Sequence, residues 1–225
     1  MLSITKQNVW ETLRLYLPAD GVFIEAGAFN GKDTLSLARH FPHATIHAFE
    51  PVPEIYAELK KNTRNIPNIN TYPLALSNYT SNATFYIAQH PKHPGKICQA
   101  GTLLLPQERL THSPITYPRT IQVTTITLDE WAQKNHIARV DFMWLDLQGN
   151  ELAVLKAAPF ILKTTSLLYV ECNFIQAYEG QPSAQELHEW ILSQGFSLKA
   201  TDYHEKSTHF FGNHLYYKSF QNENI

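Results

Sequence analysis

Short apolar runs alternate with segments of helical period along most of this chain, and that alternation restricts it to few folds. Val22-Phe23-Ile24, Thr45–Phe49, Ile69–Leu76, Val140–Leu145 and Ser166–Val170 read as strands. Continuous apolar runs of this length belong to strands covered on both faces. Between them lie helix signals. Val9, Trp10, Leu13 and Leu17 share one face of a first helix that stops at Pro18 and Gly21. Leu35, Leu37 and Ala38 mark a second helix, and Pro53 suits the first turn of a third that runs to about Arg64. Thr127-Leu128-Asp129-Glu130 forms a capping box for a helix through Asn135, Glu151 to Ala158 is helical, and Ser183 caps a helix carrying Leu187, Trp190 and Ile191. Five strands joined by helical crossovers specify an α/β fold with a doubly wound parallel sheet. Phe196–Ala200 and His209–Tyr217 follow as two last strands. The segment between them is too short for a helical crossover, so they should form an antiparallel hairpin. Ala83–Ile87 and Ile121–Thr125 add strand signals outside this scheme.

The length of 225 residues suits one domain with an insertion better than two domains. Residues 1–19 supply the N-terminal helix. Residues 89–119 carry five prolines, at 91, 94, 106, 114 and 118, and little periodicity. A loop of that length inside a compact domain is usually functional, so it is expected to be a substrate lid over the working face. With 44% hydrophobic and 17% charged residues the composition is globular. A net charge of −2 leaves no bulk footprint for a polyanion, which disfavours sequence-independent nucleic-acid binding. The two cysteines build no disulfide framework. No apolar stretch approaches the roughly 20 residues of a membrane span, and the first twenty residues read as an amphipathic helix rather than a signal peptide. The expectation is a soluble, cytoplasmic protein whose sequons at Asn78 and Asn82 are chance matches.

Open parallel sheets bind ligands at the C-terminal ends of their strands, and the candidate residues lie at such ends. The first strand runs into Glu25-Ala26-Gly27-Ala28-Phe29-Asn30-Gly31. Gly27 and Gly31 do not fit the dinucleotide spacing GxGxxG, and a carboxylate at Glu25 is a poor neighbour for a pyrophosphate. It suits a ligand bearing positive charge. Glu50 ends the second strand, 23 residues after Gly27, where an acidic side chain can accept hydrogen bonds from a ribose diol. A diol, a cation and no phosphate describe S-adenosylmethionine better than NAD or ATP. Asp146 ends the apolar strand Val140–Leu145, with Gln148 and Asn150 close by, and could accept or orient a hydroxyl proton. Its structural alternative is an N-cap at Gly149. Glu171 ends the next strand and could serve as base in its place, or simply pair with a loop.

The stretches FIEAGAFNGKDT, HAFEPVPE, PLALSN, TTITLDEW, VDFMWLDLQGNELAVLKAAP and LYVECN resemble the FkbM-type S-adenosylmethionine-dependent methyltransferases, in the family's order and across most of residues 22 to 174. The resemblance implies a Rossmann-like class I methyltransferase fold with the terminal hairpin, and O-methylation of a sugar or small natural product. It implies that Glu25, Gly27 and Gly31 hold the methionine part of the cofactor, Glu50 the ribose, that Ser77 lies near the adenine, and that Asp146 sits beside the methyl group. Departures occur at Phe29, Gln148 and Gly101-Thr102-Leu103. The expected partner is a small-molecule or glycan acceptor, with no membrane and with nucleic acid disfavoured; a homodimer is compatible with the sequence. Competing readings are a cofactor-binding protein of the same fold without catalysis, a nucleic-acid methyltransferase, and a nicotinamide enzyme.

Eleven histidines do not make a metal site on this reading. His204 to His209 has one residue too many for HExxH, and His40, His43 and His47 suit structural roles. His90, His93 and His112 lie in the insertion and could reach a substrate. Tyr72, Tyr79, Phe85 and Tyr86 could stack on an adenine but suit a core as well. Lys60, Lys61 and Arg64 read as a solvated helix face.

Overall fold

A computed structural model describes residues 2, 3, 5, 8–203 and 210–220. Its main sheet has eight strands in the order β1-β10-β11-β9-β8-β2-β3-β4. These are β1 (Leu2–Ser3), β2 (Val22–Ala26), β3 (Thr45–Phe49), β4 (Ile69–Tyr72), β8 (Phe142–Leu145), β9 (Leu167–Asn173), β10 (Ser197–Thr201) and β11 (Phe211–Tyr217). The five strands expected from the apolar runs are mutually parallel, and β11 lies antiparallel to both β9 and β10. The doubly wound sheet with a terminal hairpin is therefore borne out. His204 to His209, including the start assigned to the last strand, fall outside the described residues.

Helices cover both faces. Leu13 of α1 (Val9–Arg14) and Leu37 and Ala38 of α2 (Lys32–His40) pack with Phe23, Ile46 and Phe142 on one side. Leu59 of α3 (Pro53–Thr63) packs on Ala28 and Ala48. On the other side Ile24, Met143, Leu145, Leu168 and Val170 meet α5 (Leu128–Lys134), α6 (Glu151–Lys156), α7 (Pro159–Leu162) and α8 (Ala184–Ser193). Side chains alternate across a strand, so Phe23 and Ile24 enter opposite cores. The helix starts follow the sequence. The Thr127 hydroxyl accepts from Glu130 N at 3.2 Å, and Ser183 and Glu186 complete a reciprocal capping box. The short helix α7, begun by Pro159, is an addition to the sequence reading.

Three expectations need correction. Residues 1–19 do not form one helix: Leu2–Ser3 is strand β1, paired with β10, and the helix spans only Val9–Arg14. Ile69–Leu76 is not one strand: it breaks at Pro73 into β4 and β5 (Ala75–Leu76), which belong to different sheets. Proline has no N–H for a ladder, and at Pro73 the chain leaves the edge strand β4 and crosses to the second sheet. The second sheet has three strands, β5-β7-β6, built from the long pair β6 (Ser81–Gln89) and β7 (Thr116–Ile126). Residues 116–119 therefore continue a strand instead of closing a loop. The rest of the insertion is pinned by isolated bridges, Tyr86 to Thr102, Gln89 to Ile97 and Pro106 to Tyr178, and carries the single turn α4 (Arg109–His112).

Candidate active site

The C-terminal ends of β2, β3 and β8 converge on a pocket, closed on the far side by the small sheet and by residues 97–103 of the insertion. Leu74, Leu76, Phe85 and Ile87 form apolar walls; Gly27, Glu50 and Asp146 form the polar rim.

Gly27 has φ +90°, and a Cβ there would lie 2.2 Å from the Asp146 carbonyl oxygen. Glycine is the residue that lets β2 turn against β8 and leaves the pocket floor open. Gly31 also has a positive φ, +84°, but its missing Cβ accommodates Leu59, so it packs on α3 instead of lining the pocket. Phe29 stands between them at φ +48°, an uncommon conformation for an aromatic residue, and its N–H donates to Glu50 Oε2 at 3.1 Å.

Glu50 is buried, and its other oxygen accepts from Val52 N at 2.8 Å. Burial pushes its carboxyl up to about 7 despite these two donors. Glu25 is also buried, and its Oε2 has no hydrogen-bond partner among the described residues. Burial, with Asp33 and Asp146 nearby, raises it to about 8. A carboxyl in that state is stabilised by any cation that enters beside it. Ser77 is buried behind the pocket wall, its N–H bonded to Ile126 O and its hydroxyl to Asn78.

Asp146 does not cap α6. Its Oδ1 accepts from the Gln148 side-chain amide at 2.6 Å, and the same Nε2 donates to Glu171 Oε1 at 2.9 Å. The amide oxygen accepts from the Tyr178 hydroxyl at 2.6 Å, which fixes the amide's orientation. Gln148 has φ +52° and is followed by Gly149 at φ +100°; the Thr102 hydroxyl of the insertion donates to its carbonyl at 3.1 Å. Burial raises both carboxyls. Gln148 and Arg109 moderate the rise for Asp146, which stays at about 6, whereas Asp146 and Glu151 push Glu171 further up. The pair thus places two carboxyls, both raised by burial, on one bridging amide. Glu151 is used structurally, accepting from Leu147 N and Gly149 N and so holding the turn after β8.

Thus Gly27, Glu50 and Asp146 reach the pocket directly, Glu25 and Glu171 lie buried next to it, and Gly31 and Ser77 support its walls. Sequence reading had assigned Gln148 only a general amide capacity and had not singled out Tyr178, Arg109 or Asn173. Nothing in their spacing marks them: Tyr178 reaches Gln148 from the loop after β9, and Arg109 is brought in by the insertion. Of the insertion's histidines, His93 and His112 are exposed and none lines the cavity. His40 stacks on Trp10 at 4.7 Å, and His47 is buried, held at about 4 by burial, with its ring against Trp131 and its Nδ1 on the Tyr72 hydroxyl. Phe85 lines the cavity, whereas Tyr72 joins Phe49 and Trp131 in a ring cluster and Tyr79 is exposed. No group of three metal-ligating side chains occurs among the described residues.

S-adenosylmethionine combines a purine, a ribose diol and a sulfonium. The residues present fit it: apolar walls for the base, a buried carboxylate at Glu50 for the diol, and, near a cation, Asp146 and a buried carboxyl at Glu25, one oxygen of which has no partner among the described residues.

A profile of the methyltransferase FkbM domain matches residues 25–198. The 2-O-methyltransferase NoeI of Sinorhizobium fredii is 24% identical over 163 residues, covering 72% of this chain and 67% of NoeI. Methyltransferase 1 of Beauveria bassiana is 25% identical over 149 residues, covering 62% of this chain and 59% of that protein. Among solved structures, TrmK of M. capricolum in complex with S-adenosylhomocysteine matches with a TM-score of 0.54 at 10% identity, over 100% of this chain and 73% of that one; this likeness carries the fold alone. No helix among the described residues is long and apolar enough to cross a membrane. With the motifs in place at their strand ends and the family profile spanning most of the sequence, the chain belongs to the FkbM methyltransferase family, enzymes whose methyl donor is S-adenosylmethionine.

Proposed function

We propose that this protein transfers a methyl group from S-adenosylmethionine to a hydroxyl oxygen of a small molecule or glycan. The observation that carries the reading is the amide-bridged pair of Asp146 and Glu171 at the pocket's inner end. When bound, the cofactor supplies an electrophilic methyl group on a cationic sulfur. The chain's own work is to hold and orient. Glu50 holds the ribose, and Gly27 with Glu25 receives the methionine end, with Gly31 and Ser77 supporting the walls. Alignment of donor and acceptor supplies most of the rate, because methyl transfer asks for approach in line more than for deep deprotonation. Asp146, which lines the pocket, or Glu171, bridged to it through the Gln148 amide, takes the acceptor's proton. An anionic partner would meet several buried carboxyls at this end, which favours an uncharged acceptor over a nucleic acid. The whole chain acts as one domain in the cytoplasm, with residues 90–115 as its lid; a homodimer is compatible with this reading. NoeI, a 2-O-methyltransferase, supports oxygen as the acceptor atom.

The test is mass spectrometry of a metabolite extract incubated with the protein and methyl-labelled cofactor. The expected product carries one labelled methyl group on oxygen. Label on nitrogen, carbon or RNA, or no label, would refute the reading.

A further inference from the structure

The insertion brings one cation into this acidic end. Arg109, in the single turn α4, is only 6% exposed; it interacts with the Tyr117 hydroxyl, while its Nε and Nη1 have no hydrogen-bond partner among the described residues. Its guanidinium lies 4.9 Å from the Phe210 ring centre and 5.7 Å from that of Phe211. It also acts electrostatically on Asp146, Glu171, Tyr117 and Tyr178. The backbone around it is laced to the loop after β9: Gln107 N and Arg109 N donate to Ala177 O, Glu108 N to Gln176 O, and Glu179 N to Leu105 O. These bonds involve loop backbone on both sides, so the segment can detach without disturbing a sheet.

A second unsatisfied group stands on the same edge. Asn173, the last residue of β9, is 6% exposed, and its Oδ1 has no partner among the described residues. It lies two residues from Glu171 on the same face of the strand, and it pairs with Phe211 in the sheet. Proteins rarely leave buried polar atoms without partners, and such atoms ask for an explanation. Here a donor with fixed geometry and a neutral acceptor stand beside two carboxyls that the mechanism already uses. A group that both accepts and donates hydrogen bonds satisfies all of them, and a hydroxyl-bearing acceptor does so.

We propose that Arg109 and Asn173 form the clamp that recognises the methyl acceptor. Arg109 donates to an acceptor oxygen when the insertion closes, and the Asn173 carbonyl accepts from a neighbouring hydroxyl. Arg109 is thereby a specificity-determining residue carried by the lid, and acceptor entry requires segment 104–113 to lift from loop 175–179. This rests on the reading of the protein as an O-methyltransferase.

The test uses the full chain with methyl-tritiated S-adenosylmethionine and a dilution series of metabolite extract from the source organism. Arg109→Ala, Arg109→Lys and Asn173→Ala are compared with the wild type, and the cofactor dissociation constant of each is measured by calorimetry. Arg109→Ala is expected to incorporate at least tenfold less label in dilute extract, with the deficit shrinking as extract is concentrated and the cofactor constant within twofold of wild type. Asn173→Ala should show the same pattern to a smaller extent, and Arg109→Lys should recover part of the loss. A deficit independent of extract concentration, normal incorporation by Arg109→Ala, or lost cofactor binding in both Arg109 variants would overturn the clamp. A wild-type protein that binds cofactor but labels nothing would instead overturn the parent reading, and the clamp with it.

Discussion

Gly27→Ala isolates the close approach on which the pocket depends. An L-residue in the left-handed region costs roughly 1–2 kcal/mol by itself. The new Cβ would then sit 2.2 Å from the Asp146 carbonyl oxygen, a backbone atom held by the strand pairing of β2 and β8. Relief requires the end of β8 to retreat by roughly 1 Å, a displacement that can cost about a hundredfold in rate when it misaligns reacting groups. Strain and overpacking together should lower stability by about 2–4 kcal/mol. Gly31→Ala supplies the control. It has a similar backbone conformation, but its Cβ would meet the far end of the Leu59 side chain at 2.7 Å, and that atom can move. Thermal unfolding and calorimetric titration with S-adenosylmethionine would be run on both variants. Gly27→Ala should weaken cofactor binding at least tenfold, and Gly31→Ala should lose stability with cofactor affinity within threefold of wild type. Wild-type affinity in Gly27→Ala, or equal damage by both, would refute the reasoning.

Further expectations concern charge and hydrogen bonding. Glu25, Glu50 and Glu151 are raised by burial to about 8, 7 and 7, from an ordinary 4.5. The folded state therefore keeps protons that the unfolded chain releases, and stability should fall as pH rises from 6.5 to 8. His47, depressed to about 4 by burial, removes stability only below pH 6.5 and so leaves that window clear. Melting temperatures across the window should fall for wild type and fall less for Glu25→Gln; identical slopes would contradict the assignment. Tyr178→Phe leaves the Gln148 oxygen without its donor and should cost about 1–3 kcal/mol. It should also alter the pH profile of transfer by loosening the amide between Asp146 and Glu171, and an unaltered profile would remove Tyr178 from the array. Thr127→Ala removes the cap of α5, a residue that does not line the pocket, and should cost about 1 kcal/mol with unchanged turnover.

What was legible in the sequence follows from which forces are local. Val22–Ile24, Thr45–Phe49 and Val140–Leu145 are apolar because both faces of the central sheet are covered, so their strand character and parallel order could be read directly. The Ser183 and Thr127 caps were equally plain, because capping is a contact between residues three apart. The small sheet was not legible as such. Thr116–Thr120 is polar and carries Pro118, and its strand character comes from pairing with Ser81–Gln89 across the insertion. At the site, Glu25, Gly27, Glu50 and Asp146 were visible because they end apolar runs. The bridging role of Gln148 and the parts of Tyr178, Arg109 and Asn173 were not, because the bridge joins residues 23 and 30 positions apart, and Arg109 and Asn173 keep polar atoms without a partner among the described residues.

The central claim is that the ends of β2, β3 and β8 form an S-adenosylmethionine pocket in which Glu50 holds the ribose. Calorimetric titration of the intact protein and of Glu50→Ala with S-adenosylmethionine, with NAD as a control ligand, tests it most directly. The account predicts one site for S-adenosylmethionine, affinity weakened at least tenfold in Glu50→Ala, and no heat from NAD. Folded wild-type protein that does not bind S-adenosylmethionine, or a Glu50→Ala variant that binds it as tightly, would contradict the account.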